Sequence, residues 1–128
     1  MEIAVTKGIK ITVQTQYIES HSRPTQNHFA HAYRITIENQ SSEIVQLLRR
    51  HWYIQDGTGT IREVEGEGVV GEQPVLSPGQ IHQYSSWCPM GTMVGRMYGN
   101  FTMQYAKNRE EFKVQVPEFA LVVPNKLN

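Results

Sequence analysis

The sequence has a single cysteine, Cys88, no surplus of either charge, and no long apolar run. A lone cysteine cannot close an internal disulfide, so the expected compartment is reducing, the cytoplasm. Twelve Lys and Arg balance twelve Asp and Glu. That leaves no field to gather nucleic acid or an anionic membrane. No apolar stretch nears the roughly 20 residues a membrane-spanning helix needs, and no apolar segment of signal-peptide type follows Met1. Repeats and low-complexity tracts are absent, as is a Gly-x-Ser-x-Gly nucleophile elbow. At 128 residues, residues 1–128 read as one domain, long enough to bury a core without disulfides or a structural metal.

What the sequence does have is a period of two. Ile9, Ile11, Val13, Thr15 and Tyr17 alternate with Lys10, Thr12, Gln14 and Gln16, and Phe29, His31, Tyr33, Ile35 and Ile37 alternate with Ala30, Ala32, Arg34 and Thr36. Each run reads as a strand with one buried face. From Val45 to Asp56 the apolar parity changes between Leu47 and Trp52, which predicts a β-bulge around Arg49-Arg50-His51. Asp56-Gly57-Thr58-Gly59 is a turn, after which Ile61 to Glu65 returns as a strand. Ile81 to Ser86, Met97 to Tyr105, Phe112 to Val116 and Phe119 to Val123 follow, with Pro117 at a bulge or a crossing between sheets. The pattern predicts an all-β sandwich of two antiparallel sheets with seven to nine strands, fibronectin type III or immunoglobulin-like, and no helix.

Gly66-Glu67-Gly68-Val69-Val70-Gly71 has the spelling of a dinucleotide-binding loop. That loop needs a helix after it, whose free N-terminal amides hold the pyrophosphate. Here Glu67 puts a negative charge inside the motif, and Pro74 and Pro78-Gly79 break any helix within a few residues. The expected structure is a hairpin-like corner built on Gly66, Gly68 and Gly71, with no nucleotide cofactor.

Five histidines raise the question of a metal. His28 and His31 are three apart, which on a strand sends them to opposite faces, and Cys88 has no partner at ligand spacing, so no metal site is expected. Ser85, Ser86 and Cys88 near His82 lack the context of an activated nucleophile, and Cys88 reads as a packed thiol. Glu63, Glu65 and Glu67 alternate along one solvated strand face. Arg49 and Arg50, beside His51, have two readings: paired hydrogen bonds to a phosphate or carboxylate ligand, or, more simply, ion pairs to Glu63, Glu65 and Glu67. Trp52 is assigned to the core, whereas Trp87, read as lying in a loop before Cys88-Pro89, is the exposed aromatic anchor for a partner.

Several segments resemble the ApaG family. They are Thr6 to Gly8, Gln14 to Tyr17, Tyr33 to Asn39, Val45 to Trp52, Glu63 to Pro74 with the following Pro78-Gly79, and Gly95 to Met103. The resemblance covers almost the whole chain, and the Gly66 to Pro74 block is its most specific part. Two positions depart from it: Met93 stands where the family has proline after Thr92, and His82 where it has an aromatic residue. The resemblance implies a fibronectin type III-like sandwich. In bacteria the family's gene lies beside that of a diadenosine tetraphosphate hydrolase, and an older proposal links it to cobalt and magnesium efflux. Similar eukaryotic domains, in an F-box protein and a DNA-polymerase-interacting protein, look like protein-interaction modules. The resulting expectation is a non-enzymatic module with a protein partner and no cofactor, with homo-oligomerisation through an edge strand as an added possibility. The alternative is an accessory protein that binds a small ligand or phosphate, or one linked to cobalt and magnesium homeostasis.

Overall fold

Nine strands, and among the described residues no α-helix, make up the computed structural model, which describes residues 1–124. The strands are β1 Glu2–Thr6, β2 Ile9–Tyr17, β3 Phe29–Asn39, β4 Val45–Asp56, β5 Ile61–Glu67, β6 Val75–Leu76, β7 Ile81–Met90, β8 Val94–Tyr105 and β9 Glu111–Val122. They form two antiparallel sheets. One has the order β1-β2-β3-β7, and the other β5-β4-β8-β9 with β6 also paired to β4. The sequence alternation becomes the inner face: Ile9, Ile11 and Val13 pack with Ile35 and Ile37 from one sheet, and Leu47, Phe101, Met103, Val114 and Leu121 from the other. Trp52, 3% exposed, is the aromatic centre. Its ring stands edge-on to Phe101 and Phe119 at 6.0 Å and to Tyr33 at 5.8 Å, the geometry that ring quadrupoles favour.

Two bulges shape the second sheet. Leu47 is opposite Met103 but Arg49 is opposite Thr102, so Leu48 is the extra residue. The parity change read from the sequence is real, and it sits just before the Arg49-Arg50-His51 run. On β9, Phe119 is opposite Met97 but Val116 is opposite Gly99, so the second bulge falls at Pro117, which has no N–H to lose from a ladder. Short 3-10 turns at Glu19–His21 and Pro24–Gln26 close the 20–27 segment.

The two seams of the sandwich differ. On one side β1 lies beside β9, and the Gln115 amide donates to Thr6 Oγ1 at 3.2 Å. On the other, the free edges of β5 and β7 face each other. Arg62 of β5 crosses the gap and donates from Nη2 to the Pro89 carbonyl at 2.7 Å. Among the described residues no helix is long and apolar enough to cross a membrane.

Candidate functional site

The bulge at Leu48 builds the glycine loop. An extra residue leaves its carbonyl outside the ladder, and the Leu48 carbonyl accepts from the Gly68 amide at 2.8 Å and from Gln73 Nε2 at 2.9 Å. From there the chain makes a two-residue turn. The Val69 amide donates to the Glu72 carbonyl at 2.8 Å, and the Glu72 amide to the Val69 carbonyl at 3.0 Å. The two residues inside, Val70 and Gly71, have φ of 47° and 77°. Both are positive, as in a type I′ hairpin turn. The glycine stretch is therefore a hairpin corner and not the start of a helix. The Gly68 and Val69 amides, and that of Glu72 just after the stretch, are bonded to backbone carbonyls, so they do not converge on an anion.

Arg50 completes the corner. It is opposite Gly66 on β5, and a β-carbon at Gly66 would lie 2.7 Å from its Nη1. The guanidinium donates from Nη1 to the carbonyls of Glu67 and Gly68, both at 3.0 Å. The loop thus turns carbonyls, not amides, toward a cation.

The ion-pair reading of the arginines needs correction. Arg49 Nη2 pairs with Glu111 Oε1 of β9 at 2.6 Å, and Arg50 meets carbonyls; neither pairs with Glu63, Glu65 or Glu67. The residue that meets those carboxylates is His51, which is opposite Glu65 in the ladder. Its Nδ1 lies 2.8 Å from Glu65, and its Nε2 lies 3.7 Å from Glu63. The third carboxylate, Glu67, accepts from Gln73 Nε2 at 3.1 Å. For Arg50 the cause is register, which puts glycine, not glutamate, opposite it; Arg49 is opposite Glu67, but its guanidinium is turned the other way, to Glu111.

Trp87 also needs correction. It lies on β7 and not in a loop, directed outward from an edge strand and 55% exposed, with the His21 ring edge-on at 5.2 Å. Glu72 Oε2 lies 3.6 Å from His82 Nε2, so the glycine hairpin packs against β7 five residues before Trp87. The hairpin, the β5–β7 seam and Trp87 share one side of the molecule, spanning about 16 Å along β7.

Burial sets the ionisation of the neighbouring groups. It holds the Cys88 thiol above its usual value despite the nearby Arg62, raises Tyr33 and raises Tyr84 well above the phenol range, and lowers His31. Cys88 is buried in the core, as its packed-thiol reading requires. His28 is exposed ahead of β3 and His31 is 1% exposed within it. Among the described residues no three His, Cys, Asp or Glu side chains form a metal-binding group. At His51 the two glutamates contact different ring nitrogens and flank the imidazole without converging.

Asn39, which strand alternation marks only as the end of β3, is fully buried. Its Nδ2 donates to the carbonyls of Glu43 and Leu76 at 2.8 and 2.9 Å, and its Oδ1 accepts from the Ser41 amide and hydroxyl at 2.9 and 2.6 Å. The sequence signal is an Asn at the end of an apolar strand with Ser41-Ser42 two residues on, the composition of a side-chain-closed turn. At the opposite end of the sandwich a cleft of about 1020 Å³ opens between Tyr17, Pro24, Phe29, Met93 and Val123. Met93, one of the two departures from the family pattern, is 57% exposed at its rim.

Comparison with known proteins places this architecture. The family model described as ApaG domain matches residues 19–105. Protein ApaG of Brucella canis is 48% identical over 124 residues, spanning 97% of this chain and 95% of the relative. Protein ApaG of Mesorhizobium japonicum is 48% identical over 121 residues, spanning 94% and 92%. A crystal structure of an ApaA protein from Bordetella pertussis superposes with a TM-score of 0.88 at 37% identity, spanning 92% of this chain and 95% of that one. With a family match over more than half its length, and near-half identity to these relatives along almost all of it, this chain belongs to the ApaG family.

Proposed function

We propose that this chain is a non-enzymatic protein-interaction module whose contact surface is the glycine hairpin Gly66 to Gly71, supported by Arg50 and continued along the β7 edge to Trp87. The observation that carries this reading is Val70. A β-branched residue in the left-handed region is a backbone outlier and costs about 1–3 kcal/mol. Yet Val70 has φ 47° at the first central position of a tight turn, a place that favours Asn, Asp or Gly. Its side chain is 63% exposed, so it contributes no core packing to offset the strain. A strained, solvent-facing valine at a hairpin tip fits an anchor whose compensating contact is made by a partner. Trp87, exposed on the same side, belongs to the residue types that dominate interface energetics.

Phosphate binding at the loop has less support, because the Gly68, Val69 and Glu72 amides are already bonded to backbone carbonyls within the corner. Calorimetry with ATP, with diadenosine tetraphosphate and with either plus magnesium is the direct check on it. A metal-linked role is checked by elemental analysis of untagged protein.

The decisive test is affinity capture from cell extract at physiological salt, with the wild-type chain and Val70→Gly compared. The expected result is a recurrent partner with the wild type and at least about tenfold less of it with the variant, as for loss of an interface hot spot. No recurrent partner, or equal recovery by both chains, would overturn the reading.

A further inference from the structure

The seam between β5 and β7 is not filled. A slot of about 240 Å³ opens there, with Trp52, Tyr33 and Val64 as its apolar floor, Ser86 on the β7 side, and Arg50 and Arg62 both contributing to its lining. Register places the two arginines. Arg62 is opposite Ile54 and Gly66 opposite Arg50, so both point toward the inner face, about four residue steps or ~13 Å apart along the strand.

Neither guanidinium has an anion. Arg50 donates to two carbonyls, and Arg62 to the Pro89 carbonyl and the Cys88 sulfur. Among the described residues no carboxylate lies within ion-pair distance of either. A guanidinium carries five donors, so each keeps N–H groups for a ligand. Glu63 and Glu65 leave the seam for the opposite face of β5, where they meet His51. The slot therefore has a positive group at each end and an apolar middle. Beside it β7 is paired only to β3, which leaves one row of backbone donors and acceptors open to an added strand.

We propose that this slot takes an extended segment of an acidic protein partner, with one apolar side chain on Val64 and Trp52 and a carboxylate two residues to either side, one reaching Arg50 and the other Arg62. The alternation follows from strand geometry: residues i, i+2 and i+4 share a face, and their span matches the separation of the arginines. This proposal rests on the protein-interaction reading and supplies the chemistry of the partner.

The probe is a blocked seven-residue peptide with Asp at its second and sixth positions, Phe at its fourth and Thr between. It is titrated into the full chain and followed by tryptophan fluorescence, since Trp52 and Trp87 both line the slot, and by calorimetry. Saturable binding is expected. It weakens about tenfold with Arg62→Gln, the loss of one charge-assisted contact, and disappears when both Asp are replaced by Lys. Val64→Glu, at an exposed position of β5, also abolishes it, and decides the matter if Arg62→Gln does not fold. No signal at about 5 mM peptide, a weakness beyond the roughly millimolar range of weak recognition, would overturn the proposal. Equal binding of the Lys peptide, or indifference to both substitutions, would do the same. Failure of the peptide test removes the slot alone, whereas failure of capture to depend on Val70 removes the hairpin reading.

Discussion

Arg50 lies against Gly66 so closely that a β-carbon at position 66 would meet Nη1 at 2.7 Å, Nη2 at 2.8 Å and Cζ at 2.9 Å. The three glycines of the corner therefore have three different reasons to be glycine, and alanine substitution separates them. Gly66→Ala pushes aside the end of a flexible side chain and loosens its two carbonyl bonds, at a cost of about 1–2 kcal/mol. Gly71→Ala meets open space and has only the left-handed φ to tolerate, about 1 kcal/mol. Gly68→Ala combines a φ of 63° with a collision against the Glu72 backbone carbonyl. Backbone must shift there, and the expected loss is about 3 kcal/mol or more. Urea midpoints for the three variants should fall with Gly68→Ala lowest by a clear margin. Equal midpoints would mean that the corner is not closed as described.

The strain at Val70 predicts the opposite sign. Val70→Gly removes the side chain that makes φ 47° unfavourable, and Val70→Asn creates the Asn-Gly pair that type I′ turns prefer. Each should stabilise the free protein by about 1 kcal/mol, or raise its thermal midpoint by roughly 4 °C. Natural chains give up stability where function requires it, so a gain in stability together with lost partner capture is the joint signature of an anchor. A drop in thermal midpoint for both variants would show that Val70 holds the fold.

Legibility in the sequence followed burial. Where one face of a strand is core, as at Ile9 to Val13 and Tyr33 to Ile37, the alternation identifies the strand and its inner face. Alternation does not mark β1, because its apolar residues, Ile3 and Val5, lie on the solvent side, 52% and 57% exposed. It ends β7 at Ser86, because the inward row His82, Tyr84 and Ser86 is polar, and Trp87 then reads as a loop residue. The site was harder still, since side-chain partners depend on register. Counting back from the Asp56 to Thr60 turn sets Gly66 opposite Arg50 and Glu65 opposite His51, a signal the sequence held and that strand-face reasoning alone did not use. The pairing of Arg49 with Glu111 crosses β8 and is set only by the assembled sheet.

Asn39 ties the end of β3 to the 41–43 turn and to β6 through four hydrogen bonds with every polar atom used. Asn39→Ala leaves the Glu43 and Leu76 carbonyls short of a donor in a buried place. A loss of about 2–4 kcal/mol is expected, among the largest for any polar side chain in the protein. Asn39→Asp keeps the shape but turns two donors into acceptors facing carbonyls, so it should be no better than alanine. Denaturant unfolding of the pair checks both statements, and an aspartate variant near wild-type stability would refute the assigned orientation of the amide.

His31 gives stability a pH dependence whose sign is fixed by burial. The ring is 1% exposed, packs edge-on to Tyr17 at 5.4 Å and has a buried Nε2 without a hydrogen-bond partner. Burial disfavours the imidazolium and lowers the folded-state value below 6.5, so the unfolded chain binds the proton more readily. The contribution is fully present above the unfolded value near 6.5, and it is lost as pH falls from there through the folded value. The buried Cys88, Tyr33 and Tyr84 act at the other limb. Their folded values are raised, so stability declines as pH climbs past the unfolded thiol and phenol values, roughly 8.5 and 10. His31→Leu removes the ionisable ring and the unsatisfied nitrogen at little cost in volume. It should be close to neutral at pH 7.5 and should flatten the decline below pH 6.5 while leaving the alkaline limb unchanged. Thermal midpoints of the two chains from pH 5 to pH 10 make the comparison, and parallel acid limbs would show that another group carries the acid sensitivity.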